Sequence, residues 1–116
     1  MHEFSICQGL VKAIFSELEK LDPPNPQLLK ASVVIGHLRQ IIPETLRFAY
    51  ETLTKETALA GSKLEIIGAP ILAKCPKCSW EGEIKENNFR CGKCDSGEIG
   101  LSGGMELYLN NLTVEK

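Results

Sequence analysis

The sequence predicts an α+β protein in which two helices pack on a three-stranded sheet, with a four-cysteine module inserted into the core. Three observations predict this fold class. Two stretches place apolar residues three and four positions apart, three stretches are strand-like, and two Cys-x-x-Cys pairs lie between the last two of those strands. With 116 residues, the chain is one ordinary domain or a small core with a satellite.

The first helix is predicted over residues 4–21, because apolar residues recur there at helical spacing. Its start has two interpretations: Ser5 and Gln8 form a capping box, or the helix begins further back, near His2. The stretch LDPPNPQ then ends the helix in a stiff loop. The apolar positions of the helix are Phe4, Cys7, Leu10, Val11, Ile14, Phe15, Leu18 and Leu21.

Three strands and a second helix complete the predicted core. A strand over residues 29–38 has one apolar side, and Pro43 is well placed at the first position of the second helix. A single strand is predicted over residues 63–73, where Pro70 indicates a bulge or a sheet edge. The last strand spans residues 105–114. The apolar side of the first strand consists of Leu29, Ala31, Val33 and Ile35.

The cysteine-rich insert divides the core in sequence. We expect residues 1–73 and 103–116 to form the α/β core domain, and residues 74–102 to form a smaller metal-binding module. Within the module, the segment SWEGEIKENNFR predicts two short strands joined at Asn87-Asn88. Such a module is too small to bury a core, so a metal would supply its folding free energy.

Two Cys-x-x-Cys pairs, separated by twelve residues, predict the metal site. A tight turn in each pair presents two sulfurs to one metal, and Gly92 permits the positive φ that such a turn often needs. Four tetrahedral thiolates select zinc, with iron as the chemical competitor, and a closed site of this kind is structural. We expect a zinc-ribbon-like module with Trp80 and Phe89 available to cover the metal. The predicted zinc ligands are Cys75, Cys78, Cys91 and Cys94.

The composition argues against several classes of function. A net charge of −2 and a pI near 5.7 give no bulk attraction for nucleic acid or for an anionic membrane. No apolar run approaches the ~18–20 residues that span a bilayer, and charged residues interrupt any signal peptide, so we expect a cytoplasmic protein. No nucleophile–base pair, phosphate loop or pair of carboxylates indicates an enzyme.

The amino terminus offers a second candidate metal site. Histidine is too large for efficient methionine removal, so the α-amine of Met1 is expected to stay beside His2. That amine, the His2 amide nitrogen and the imidazole can chelate together in near-planar rings, which suits Ni(II) or Cu(II), with Glu3 as a source of a fourth ligand. The alternative is an ordinary surface histidine. We expect Cys7 to be a buried apolar residue and His37 an exposed loop histidine.

Several pieces of the chain occur in an ordered set: MHEFSICQGL, VVIGHL, PETLRFAYETLTKETALAGSKLEI, the paired-cysteine insert and SGGMELYLNNLTVE. Together they resemble the HypA family of hydrogenase nickel-maturation factors over nearly the whole chain. The resemblance implies a small nickel metallochaperone of this α+β fold, with Ni(II) as transient cargo at Met1, His2 and Glu3 and structural zinc on the four cysteines. Asp95 departs from the pattern, since glycine is frequent there.

The resemblance also implies partners. These are a nickel-handling maturation GTPase and the large subunit of [NiFe]-hydrogenase, or the urease machinery, with the chain itself a monomer or a weak homodimer. Two other readings of the cysteines remain: a zinc-ribbon module that binds proteins or nucleic acid, and a rubredoxin-like electron carrier that holds iron. Salt-dependent binding to oligonucleotides would indicate the first, and iron in the purified protein would indicate the second.

Overall fold

The computed structural model describes residues 2–85 and 88–115, and of His2 the backbone alone. The described strands form two three-stranded sheets, with strand orders β2-β1-β6 and β4-β3-β5. The predicted α+β class is confirmed. In chain order the elements are α1 (His2–Glu19), β1 (Leu28–Gly36), a 3-10 turn (His37–Arg39), α2 (Pro43–Thr54), β2 (Lys63–Ala69), β3 (Ile71–Lys74), β4 (Glu81–Ile84), β5 (Gly100–Gly103) and β6 (Leu107–Val114).

The chain divides into two compact units. The first consists of Met1–Val34, Ile41–Ile67 and Tyr108–Lys116. In it α1 and α2 pack against each other, and their apolar faces meet in one core. The buried side chains of this core include Cys7, Leu10, Ile14 and Leu18 from α1, Leu28, Ala31 and Val33 from β1, and Leu46, Ala49 and Tyr50 from α2.

Helix α1 begins at His2, which is the second of the two predicted starts. Ser5 therefore lies inside the helix and does not cap it. The helix ends where the carbonyl oxygen of Leu18 accepts hydrogen bonds from the amides of Leu21 and Asn25, at 3.3 and 2.9 Å. Asn25 adopts a φ of 57°, and the prolines around it prevent any continuation of the helix.

The burial pattern of β1 differs from the predicted one. Leu29 is 46% exposed, whereas Leu28 and every residue from Ala31 to Gly36 are buried. The alternation fails because residues 31–36 are buried on both faces of β1, and a strand covered on both faces has a continuous run of buried residues.

The prediction of a single strand over residues 63–73 is wrong. The chain forms β2 up to Ala69 and β3 from Ile71, and the two strands belong to different sheets. Pro70 stands between them. Because proline has no N–H, it cannot donate to a ladder, and the chain leaves the first sheet at this residue.

The second unit consists of Ile35–Gln40 and Gly68–Leu107, and it includes the whole of the predicted module 74–102, whose boundaries stay a prediction. Strand β3 pairs antiparallel with β4 on one side and with β5 on the other, with Ile71 opposite Ile84. Its small core contains Ile71, Ala73 and Ile84, with Leu38, Trp80 and Ile99 packed against it.

The strands of the second unit differ from the predicted hairpin. Strand β4 exists, but its partner is β3, and residues 88–90 are not a strand; Asn87 lies outside the described residues. Strand β5 was not predicted, since the short segment GLSG carries no alternating apolar signal.

Two glycines allow the segments 35–40 and 103–107 of this unit to approach closely. The Gly36 amide donates to the carbonyl oxygen of Glu106 at 2.8 Å, and the Leu38 amide donates to that of Gly104 at 2.9 Å. Gly104 has a φ of +119°, which only glycine adopts readily. Within residues 2–85 and 88–115, no helix combines the length and the apolar character needed to cross a membrane.

Candidate metal centre

Two turns of the same backbone design carry the four cysteines. In the first, the amide of Cys75 donates to the carbonyl oxygen of Trp80 at 2.7 Å, and the amide of Ser79 donates to that of Cys75 at 3.0 Å. In the second, Cys91 donates to Ser96 at 2.9 Å, and Asp95 donates to Cys91 at 3.1 Å. Each Cys-x-x-Cys pair is thus held by the same pair of hydrogen bonds at its first cysteine and at the residue that follows its second.

The two turns bring all four sulfur atoms together. The Sγ atoms of Cys75 and Cys94 are 3.7 Å apart, and those of Cys78 and Cys91 are 3.4 Å apart. All four sulfurs lie within 4.8 Å of one another. A tetrahedron with metal–sulfur bonds of about 2.3 Å has sulfur–sulfur edges of about 3.8 Å, so the cluster has the size that zinc requires.

The strained position of each turn is the residue after its second cysteine. Ser79 and Asp95 have φ values of 63° and 59°, in the left-handed region. Gly92, predicted to supply a positive φ, does not: among the described glycines only Gly61 and Gly104 have one. Sequence reasoning missed the role of Ser79, although its place one residue past a Cys-x-x-Cys pair, like that of Asp95, was an available signal.

Gly92 is required by a contact. A β-carbon at position 92 would lie 2.8 Å from the indole ring of Trp80, and one at position 82 would lie 2.5 Å from it. Trp80 therefore lies against the backbone of the second turn and also packs on the small core with Ile71. Phe89, the other aromatic residue predicted to cover the metal, is 40% exposed.

The sulfur atoms differ in their tendency to ionise. Backbone amides, that of Cys78 first, lower the pKa of Cys75. Burial opposes ionisation of Cys91, but the amides of Cys94 and Lys93 donate to its sulfur at 3.2 and 3.3 Å and bring its pKa to about 6. The amide of Trp80 lowers the pKa of Cys78, but burial and the contacts with the other three sulfurs together outweigh this effect and raise that pKa to about 12.

This distribution of charge suits a divalent cation. The pKa values of Cys75 and Cys91 are lowered and those of Cys78 and Cys94 are raised, and each lowered sulfur lies in short contact with a raised one. A cation that replaces the thiol protons satisfies all four sulfurs at once.

Two lysines near the site, Lys74 and Lys77, are paired with acids. Lys77 lies 3.9 Å from Glu98 and Lys74 lies 3.6 Å from Glu81, all four side chains being exposed. Such pairs contribute little to stability, but they leave these lysines without the uncompensated charge that attracts phosphates.

Of the remaining candidate residues, the structure describes the side chains of Glu3, Cys7 and His37. Met1 and the side chain of His2 lie outside the described residues, and Glu3 is buried with 7% exposure. Within the described part of the chain, the four cysteines form the only group of three or more metal-ligating side chains. His37 is exposed at the start of the 3-10 turn, and Cys7 is fully buried, which raises its pKa to about 11.

The fold and the site define a small metal-binding protein of the α+β class, in which four thiols converge at the end of two matched turns. A family model described as "Hydrogenase/urease nickel incorporation, metallochaperone, hypA" matches residues 1–114. The chain belongs to this HypA family of nickel metallochaperones for hydrogenase maturation, and it is not an enzyme.

Two relatives carry the name of this family, and a solved structure has the same fold. The hydrogenase maturation factor HypA of Desulfatibacillum aliphaticivorans is 33% identical over 114 residues, covering 98% of this chain and 87% of the relative. That of Desulfosudis oleivorans is 32% identical and covers both chains in full. The solution structure of the Ni metallochaperone HypA from Helicobacter pylori has the same fold, with a TM-score of 0.62 at 23% identity over 97% of this chain and 96% of its own.

Proposed function

We propose that the chain binds Ni(II) at its amino terminus through Met1, His2 and Glu3 and delivers it for the maturation of [NiFe]-hydrogenase. The family assignment supports nickel as the cargo. The observation that supports this location of the nickel site is that α1 begins at His2. The proposed ligands therefore sit in the first turn of a helix whose following residues are buried in the core of the first unit.

A helix that begins at this point leaves nitrogen ligands available. The first four N–H groups of an α-helix have no intrahelical partner, so the amide nitrogens of His2 and Glu3 can lose their protons to a metal without breaking a helical hydrogen bond. Negative charge is also favoured at a helix N-terminus, which supports the ionised amides. With the α-amine of Met1 and the imidazole of His2, these nitrogens make a square-planar donor set for Ni(II).

The environment of Glu3 favours its backbone nitrogen over its carboxylate as the fourth ligand. The residue is 7% exposed and has interactions within the protein. A side chain buried in this way is costly to redirect toward a metal, because its present packing would be lost.

We infer that the four cysteines hold structural zinc. The sulfur–sulfur distances of 3.4 and 3.7 Å support this metal, and a four-sulfur site has no open position for chemistry. The second unit, which has a small core, would gain from it, because structural zinc contributes ~10–16 kcal/mol in comparable peptides. Elemental analysis of the purified protein tests the inference: one zinc per chain is expected, whereas iron with visible colour would contradict it.

The partners proposed are a nickel-handling GTPase and the large subunit of [NiFe]-hydrogenase. The chain would exchange nickel with the GTPase, in either direction. The family description also names urease, so a second recipient is included in the proposal. A carrier with few ligands can release its cargo by ligand exchange. Loss of hydrogenase activity on deletion of the chain, restored by excess nickel, would support the delivery role; unchanged activity would oppose it.

Equilibrium dialysis with Ni(II) tests the site directly. His2→Ala and a chain extended before Met1 are both expected to lose at least tenfold in nickel affinity, because each removes one nitrogen of the chelate. The matched control is His37→Ala, which changes the only other histidine of the chain and should leave the affinity unchanged. Unchanged affinity in both amino-terminal variants would refute the assignment.

A further inference from the structure

The four cysteines of the metal centre differ in their access to solvent. Cys75 and Cys91, the first cysteines of the two turns, are buried with 2% and 3% exposure, and Cys78 is half-buried. Cys94 is exposed, and it belongs to the run 92–95, in which every residue is exposed. A small oxidant in solution therefore reaches the side chain of Cys94 more readily than those of the other three cysteines.

The sulfurs also differ in the number of backbone amides that stabilise them. The amides of Lys93 and Cys94 donate hydrogen bonds to the sulfur of Cys91 at 3.3 and 3.2 Å. The sulfur of Cys94 interacts with one backbone amide, that of Ser96. Hydrogen bonds stabilise negative charge on a sulfur and reduce its strength as a nucleophile. Cys94 is therefore both more accessible and more nucleophilic than Cys91.

A partner for Cys94 lies on the other turn. The Sγ atoms of Cys75 and Cys94 are 3.7 Å apart, so a disulfide bond of about 2.05 Å requires these two atoms to approach each other by about 1.6 Å. The Sγ atoms of Cys78 and Cys91 stand in the same relation at 3.4 Å. Both short contacts run from one turn to the other, and they favour disulfide bonds between the turns over disulfide bonds within each Cys-x-x-Cys pair.

We propose that Cys94 is a site of oxidation by peroxides, and that its oxidation leads to a disulfide bond with Cys75 and to loss of the metal. The inference rests on the structural zinc proposed above. Its consequence is that the second unit keeps its zinc-dependent folding free energy in a reducing medium and loses it in an oxidising one.

The reaction consumes one peroxide for each disulfide bond. The sulfur of Cys94 attacks one oxygen of hydrogen peroxide and the O–O bond breaks, which gives a sulfenic acid and a hydroxide ion. The thiolate of Cys75 then attacks the oxidised sulfur and expels a second hydroxide ion. The two sulfurs together lose two electrons, which the peroxide gains, and two protons from solvent convert the hydroxide ions to water.

The first disulfide bond leads to the second. Once Cys75 and Cys94 are joined, two of the four zinc ligands are lost, and the chain releases its metal. Cys78 and Cys91 then lie free beside each other, and a second peroxide joins them by the same two steps.

The sequence makes the pairing of the cysteines directly measurable. Trypsin cleaves after lysine and arginine and so places each cysteine of the cluster on its own peptide: 75–77, 78–85, 91–93 and 94–116. The zinc-loaded full chain is treated with excess hydrogen peroxide, alkylated, digested without reduction and analysed by mass spectrometry. We expect peptide 94–116 joined to 75–77, followed by 78–85 joined to 91–93. The chain should lose its one zinc over the same period and bind zinc again after treatment with a dithiol.

Two matched variants test the order of events. Cys75→Ser and Cys78→Ser each remove one zinc ligand, but only the first removes the proposed partner of Cys94. A 1,3-dione, which traps sulfenic acids, should therefore label Cys94 several-fold more strongly in Cys75→Ser than in Cys78→Ser. Cys7→Ala is the control, because this thiol is fully buried and lies outside the cluster, and the variant should release zinc as the wild type does.

Three outcomes would overturn the proposal. The first is a wild-type chain that keeps its zinc and its reduced cysteines under peroxide that oxidises glutathione in the same solution. The second is a map in which the disulfide bonds join peptide 75–77 to 78–85 or 91–93 to 94–116. The third is a loss of zinc that Cys7→Ala prevents.

Elemental analysis before oxidation separates this inference from the proposed function. A reduced chain that is purified without zinc contradicts the structural zinc, and in that chain the disulfide map still decides which cysteine is oxidised and which one is its partner.

Discussion

The indole ring of Trp80 lies against Gly92, so closely that a β-carbon at position 92 would be 2.8 Å from the ring. The contact joins the second cysteine turn to the core of the second unit, because Trp80 also packs against Ile71, Ala73 and Ile84. Trp80 is the only tryptophan of the chain, and tryptophan fluorescence therefore reports on the surroundings of this one ring.

Gly92→Ala is expected to loosen the metal site. The added methyl displaces the indole ring or the second turn, at a cost of about 1–3 kcal/mol. We expect weaker retention of zinc against a chelator and a shift of Trp80 fluorescence toward that of a solvated indole. Gly97→Ala is the control, since a β-carbon there meets nothing within 4 Å. Equal zinc retention in the two variants would show that the Trp80–Gly92 contact does not support the site.

Replacing Asp95 by glycine is expected to stabilise the second turn by about 1 kcal/mol, because its φ of 59° is costly for a residue with a β-carbon. The hydrogen bond that Arg90 donates to this residue at 3.2 Å goes to the backbone carbonyl and survives the change. The order of zinc retention should be Asp95→Gly, then wild type, then Asp95→Ala, measured by chelator competition. A variant Asp95→Gly that loses zinc faster than wild type would contradict the strain argument.

Gly36→Ala is expected to destabilise the protein by about 2 kcal/mol or more. Its β-carbon would collide with the carbonyl group of Gly104 and approach the Glu106 carboxylate to 2.6 Å, and neither group can move without breaking the hydrogen bonds of this region. Gly9→Ala is the matched comparison. It lies in α1 with open space around it, so alanine should stabilise the helix by about 0.5–1 kcal/mol. Urea unfolding measures both; changes of the same sign would contradict the assignment of the clash.

The buried thiol of Cys7 predicts a loss of stability at alkaline pH. Burial raises the pKa of Cys7 from 9.0 to about 11, so between these values the folded protein keeps a proton that the unfolded chain has lost, and stability falls as pH rises. At a pH of about 10.5 the loss amounts to about 2 kcal/mol. The free-energy difference between wild type and Cys7→Ala should therefore shrink from pH 8 upward. A difference that stays constant with pH would contradict it.

Local sequence patterns were sufficient to predict the two helices and the group of four cysteines. The spacing of Cys7, Leu10, Ile14 and Leu18 identifies the buried face of α1, and Pro43 marks the first residue of α2, because a helix imposes its period on neighbouring residues whatever it packs against. Two Cys-x-x-Cys pairs likewise indicate a four-sulfur site, since each turn is specified within a few residues.

Structural features that depend on residues far apart in the chain could not be predicted from local sequence patterns. Whether the chain stays in one sheet beyond Pro70, and whether Leu29 or Leu28 is buried, depends on which strands lie beside it. Gly92 was assigned to backbone conformation, but it is needed because Trp80, twelve positions earlier, packs against it.

The sequence by itself therefore determined the fold class, the two helices, the ligand set of four sulfurs and the family, each of which rests on periodic or short-range patterns or on ordered motifs. Only the tertiary structure decided the division into two sheets, the strain at Ser79 and Asp95, the approach of Gly36 to Gly104 and the exposure of Cys94. These are decided by which backbones meet, and pairing and steric exclusion between residues far apart in the chain leave no local signal.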